Sequence, residues 1–154
     1  MNWGDRTMSS DAEALVEAGR RARREGRFEE ALSFYEKAAA AYRRGDDSLK
    51  LAHTVRHVGD IHRQAGRPEV AEPLHREALA LYRRHPDPPR LDLANAIRPL
   101  AILEERAGRI DEARRLWAEA RDLYEACGVA EGATESSCRL AALGGGAPAG
   151  PVRE

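Results

Sequence analysis

The chain has 154 residues, 42% hydrophobic and 33% charged, with 25 Lys plus Arg against 26 Asp plus Glu and a formal net charge of −1. That length builds a domain-sized core without a disulfide or metal staple. The even charge excludes general nucleic-acid affinity, which needs a large positive excess, and no run of apolar residues is long enough to span a membrane.

The opening MNWGDRTMSSD lacks a basic start followed by an apolar stretch, so it does not read as a secretory signal. Residues 1–10 are expected to be flexible. Ser10-Asp11-Ala12-Glu13 is a capping-box pattern that opens the first helix near residue 11. Apolar spacing and breakers then predict helices near 11–25, 28–44, 48–65, 68–84, 91–107, 110–126 and 130–143. Pro68 stands where a helix-starting proline belongs. Loops fall at Gly45-Asp46-Asp47 and from His85 to Pro89. Pro73 and Pro99 lie inside predicted helices and should bend them. The stretch GGGAPAGPVRE, residues 144–154, reads as a flexible tail. Cys127 and Cys138 form no close-spaced pair and read as reduced thiols of a cytoplasmic protein.

Three segments repeat: AGRRARREGRFEEALSFYEKA, VGDIHRQAGRPEVAEPLHREA and LAILEERAGRIDEARRLWAEA. Gly26, Gly66 and Gly108 share a column, as do Ala31, Ala71 and Ala113, then Tyr35, His75 and Trp117. Upstream, Gly19, Gly59 and Ala101 align. The glycine after each first helix suits a left-handed cap. The small residues let two helices approach, and the aromatic column fills the space between them. One pair cannot bury its apolar face alone, so the repeats must stack.

On these residues the chain resembles the tetratricopeptide repeat family over roughly residues 12–143. The usual period is about 34 residues, whereas Ala31 to Ala71 is 40 and Ala71 to Ala113 is 42. The longer period, and the wording AEPLHREALALYRRHPD, are similar to the kinesin-light-chain-like branch. That branch's paired Asn is replaced here by Arg98 and Pro99. The resemblance implies an all-α, right-handed TPR-type superhelix, an α-solenoid of three helix pairs plus a C-terminal capping helix. Its domain covers 11–143, with repeats at about 11–47, 48–87 and 91–127 and the capping helix at 130–143.

The resemblance also implies a concave groove lined by the first helix of each pair. Helical spacing selects the facing residues. They are Arg20 on the first; His53, Arg56, Asp60 and Arg63 on the second; Asn95 and Arg98 on the third; and Arg139 on the closing helix, aligned with Arg98. One row then reads Val16, Arg56, Arg98, Arg139, and a deeper one Arg23, Arg63, Glu105, with Arg24, Gln64 and Arg106 beside it. Arg pairs a carboxylate through two parallel hydrogen bonds. The expected function is therefore a protein-interaction scaffold holding an acidic peptide, a partner helix or a C-terminal carboxylate, with no cofactor, no nucleic acid and no membrane. The competing reading makes these arginines a solvated or internally paired face. Two further readings stay open. One is a self-associating homodimer. The other is a metal or enzyme site at His53, His57 and Asp60, whose spacing sets two imidazoles and a carboxylate on one helix. No phosphate loop, nucleophile elbow or paired-carboxylate pattern occurs, so the chain does not read as an enzyme.

Overall fold

The computed structural model describes residues 3–144. They form seven helices and no strand: α1 (Trp3–Arg24), α2 (Phe28–Arg44), α3 (Ser48–Gln64), α4 (Pro68–Arg84), α5 (Arg90–Arg106), α6 (Ile110–Ala126) and α7 (Ala130–Ala142). The chain divides into two compact units, Met1–Pro88 and Pro89–Glu154. In the first, α1 packs on α2, α2 on α3 and α3 on α4; in the second, α5 packs on α6 and α6 on α7.

The turn within each pair is set by one glycine. Gly26, Gly66 and Gly108 have φ of 75°, 76° and 74°, a conformation that side chains resist. A Cβ there would touch nothing within 4 Å, so conformation rather than space demands glycine. The next amide then reaches back to satisfy a terminal carbonyl: Arg27 to Ala22 at 2.9 Å, Arg67 to His62 at 2.8 Å and Arg109 to Glu104 at 3.0 Å. Close approach explains a second column. Gly19 and Gly59 are buried, and a Cβ on Gly59 would lie 2.9 Å from His75 Cε1. Ala101 takes the same place in α5 and is fully buried.

The first unit buries two apolar clusters. Ala12, Tyr42, Leu51, Val55 and Ala78 belong to one, and Ala22, Ala31, Leu32, Tyr35, Val58 and Ile61 to the other. The second unit buries Ala94, Ile97, Leu100 and Ala101 of α5 with Ala113, Leu116, Trp117, Ala120 and Tyr124 of α6. Each buried Leu, Ile or Val contributes about 1.5–3 kcal/mol relative to exposure.

The two ends of the described chain differ from the sequence reading. The first helix begins at Trp3, so residues 3–10 are its opening turns and Ser10 is not a cap. Once nucleated, a helix gains a hydrogen bond for each residue added, and Lys50 of α3, paired with Glu13 at 2.7 Å, also reaches Ser9 of this extension at 3.5 Å. Gly144, placed in the expected tail, instead closes the turn after α7 with φ 75°; residues 145–154 lie outside the described residues. Pro73 and Pro99 lie inside α4 and α5, where the sequence places them.

The fourth first-type helix, α7, is also shifted in register. Ser136 is fully buried and donates to the Gly132 carbonyl at 2.8 Å, as buried Thr54 of α3 donates to the Lys50 carbonyl at 2.7 Å. Matching Ser136 to Thr54 places Cys138, not Arg139, at the address of Arg56 and Arg98. Arg139 takes that of His57. Arg139 therefore does not share the repeat address of Arg56 and Arg98.

Candidate functional site

In the first unit, α1 and α3 enclose a cleft of about 350 Å³ lined by Arg20, Arg23, Arg24, Phe28, Tyr35, His57 and Gln64. Its floor is the buried ring of Tyr35, stacked on His57 with centroids 5.5 Å apart. Arg23 supplies the polar order: its Nε donates to Gln64 Oε1 at 3.1 Å, and its Nη1 lies 3.1 Å from His57 Nδ1. A guanidinium only donates, so Nδ1 accepts and His57 carries its proton on Nε2. That proton points to His53 Nε2, 3.1 Å away. Burial, and then the charges of Arg56, His53 and Arg23, push the His57 pKa down to about 2, so the ring is neutral.

The expected site residues divide by partner. Arg20 is exposed and pairs Glu17 at 2.9 Å. Arg56 is buried and holds Asp60 at 3.2 Å. Asp60 also lies 3.8 Å from Arg63 and 3.8 Å from His75 Nε2. Burial lowers the His75 pKa to about 4 against the opposing pull of Asp60. Asp60 is thus turned to Arg56 rather than to the His53–His57 pair. Among the described residues no cluster of three His, Cys, Asp or Glu can hold a metal ion.

The second unit answers its arginines with its own carboxylates. Arg98 grips Glu135 of α7 at 2.7 and 2.8 Å, and that guanidinium holds the Glu135 carboxyl below its usual range. Arg139 donates to Glu105 at 3.2 Å and lies 5.8 Å from the Trp117 ring centre. Trp117 Nε1 donates to the other Glu105 oxygen at 3.2 Å. Asn95 accepts from the Tyr124 hydroxyl at 2.9 Å. At the turn, Arg109 binds buried Glu104 through two nitrogens.

Sequence reasoning found Arg20, Arg23, Arg24 and Gln64. It assigned Tyr35 to packing and weighed His57 as a metal ligand, without placing either beneath that basic cleft. The signal was present as an offset of 82 residues, taking Gly19 to Ala101, Tyr35 to Trp117 and His57 to Arg139.

The helix pairs, the glycine turns and the small-on-aromatic contacts find their match in one family. The tetratricopeptide repeat model matches residues 10–84. Over residues 10–84 the chain carries tetratricopeptide repeats. The crystal structure of BtubC (BKLC) from P. vanneervenii is similar, with a TM-score of 0.61 at 21% identity over 93% of this chain and 68% of that one. That likeness shows the fold, an all-α arrangement of helical repeats. Among curated protein sequences none matches. The tetratricopeptide match identifies the repeat and not the long-repeat branch. No helix among the described residues is long and apolar enough to cross a membrane.

Proposed function

We propose that this chain is a protein-interaction scaffold whose α1–α3 cleft takes an acidic segment of a partner, through a Glu or Asp side chain or a C-terminal carboxylate. Tetratricopeptide repeats generally mediate protein–protein interaction. The observation that carries the finer reading is Arg23: both its hydrogen-bond partners, Gln64 and His57, are neutral. Its charge stands beside Arg20 and Arg24, and Glu17 is the carboxylate near those two, 2.9 Å from Arg20 and 3.9 Å from Arg24. Three guanidinium groups thus share one acid, and a ligand carboxylate would supply a second.

Arg56 and Arg98, the most prominent choices from sequence, make poorer probes. Reversing Arg56 would strand Asp60 in the core, and Arg98 already has Glu135. The discriminating variant is Arg23→Glu with Arg24→Glu. Calorimetry on a captured partner should show affinity reduced by about tenfold or more, the scale of a lost charge-assisted contact. Unchanged affinity in a normally folded variant would remove the cleft from the binding site.

A further inference from the structure

A second concavity in the first unit has the opposite character. It lies between α2 and α4 above α3 and measures about 420 Å³. Ala39, Val55, Val58 and Leu74 give it an apolar floor, and Val70 and Pro73 form one wall. Repeat arithmetic makes that wall unusual. Val70 occupies the address of Glu30 and Glu112, and Pro73 that of Ser33 and Arg115. The other two pairs therefore put charged or polar residues outward where this pair puts apolar ones.

Helix stability does not account for the choice. Val is a poorer helix former than Glu, and Val70 remains 40% exposed. Pro73 removes the amide that would bond the Glu69 carbonyl. The rim adds a charge preference. Arg43 is matched by Glu77 at 2.7 Å, whereas Glu36 makes no ion pair among the described residues. The concavity is thus mostly apolar below, with His62 also in its lining and Glu36 a rim carboxylate that makes no ion pair among the described residues.

We propose that this groove docks an amphipathic helix of a partner protein, with two large apolar side chains one turn apart entering the cavity and a Lys or Arg meeting Glu36. The volume falls within the range that ligands fill in pockets. A helix laid between two flanking helices is a recurrent mode of recognition. The unmatched Glu36 selects a cationic partner, the reverse of what the α1–α3 cleft selects, so the two surfaces can be tested separately.

The probe is a short, labelled, alanine-based helical peptide carrying two Leu four residues apart and a Lys one turn from them. Fluorescence anisotropy should show binding that falls by about tenfold or more with Val70→Glu, the loss expected when an apolar anchor is unseated. Glu36→Lys should switch preference to the same peptide with Glu for Lys. Pro73→Arg, which installs the residue of the third pair, is an independent second variant, and circular dichroism checks that each folds. Equal binding by wild type, Val70→Glu and Pro73→Arg would overturn the proposal, as would undiminished binding of a peptide with Ala for both Leu. Sedimentation at rising concentration provides a further arm. A dimer abolished by Val70→Glu would assign the groove to a second copy of the chain and also overturn it.

Discussion

The stretch α1–α3 and the stretch α5–α7 follow one plan, displaced by 82 residues, yet one leaves a basic cleft open while the other fills it from within. Tyr35 and Trp117 occupy the same address and are both buried. On the first lies neutral His57; over the second lies the cation of Arg139. The residue beside each is Arg23 in one case and Glu105 in the other. In the second unit cation meets anion, and both carboxylate oxygens are used, by Arg139 and by Trp117. In the first unit Arg23 meets only neutral groups. Two substitutions on a conserved geometry therefore separate a self-satisfied surface from one that still carries uncompensated charge. The fold supplies the cleft, and the residues at the Arg23 and His57 addresses decide whether it remains available.

The largest test removes the shared aromatic. Trp117→Ala and Tyr35→Ala should each cost about 3–5 kcal/mol in urea denaturation. Trp117→Ala should cost the more, because it also takes a donor from Glu105. A loss under about 1 kcal/mol at either position would mean that the two aromatics are not equivalent core residues.

The next test uses acid. In the unfolded chain His57 titrates near 6.5; in the fold its pKa is about 2, chiefly through burial. Above pH 6.5 both states are neutral and the histidine leaves stability untouched. As pH falls below 6.5 the unfolded chain takes up a proton that the folded chain refuses, so stability drops. A full unit of mismatch is worth about 1.4 kcal/mol, and the loss by pH 5 should approach about 2 kcal/mol. His75, lowered to about 4, acts in the same direction. His57→Gln should reduce the fall in stability between pH 6.5 and 5, leaving the share that His75 contributes. Arg139, its counterpart, does not titrate in this range, so the second unit lacks that term. An unchanged slope in His57→Gln would show that the ring is not held neutral by its surroundings.

How much of this was legible in the sequence depended on whether the signal was local. The helix ends at Gly26, Gly66 and Gly108 were readable because a left-handed residue is a property of one position. The packing of Gly59 on His75 was readable because three repeats showed the same pairing of small and large residues. The start of α1 was not, since Ser10 offers a capping pattern, and the contact of Ser9 with Lys50 of α3 spans 41 positions. The register of α7 was also lost, because among the described residues no second helix follows to fix the column. Above all, the arginines looked like one population. Which of them had an internal carboxylate depended on residues 34 or 37 positions away, as in Arg139–Glu105 and Arg98–Glu135, and no local pattern encodes that.

The smallest effect bears on the same point, whether an ion pair drawn between two side chains is a bond that the fold relies on. Arg20–Glu17 is an i,i+3 pair with both side chains about half exposed, 48% and 50%. Water screens it, and ordering two long side chains offsets much of the attraction, so a double-mutant cycle should return about 0.3–0.5 kcal/mol. Arg98–Glu135 joins α5 to α7 through two parallel hydrogen bonds, and the guanidinium holds the Glu135 carboxyl below its usual range. Its geometry sets both partners at once, which raises the expected coupling to about 1 kcal/mol despite partial exposure. Salt should weaken the first pair toward nothing and leave part of the second. Were the two cycles to give equal energies, internal pairing would no longer distinguish the two units, and Arg20 would count as satisfied as Arg98. The open character of the α1–α3 cleft would then rest on Arg23 and Arg24 alone.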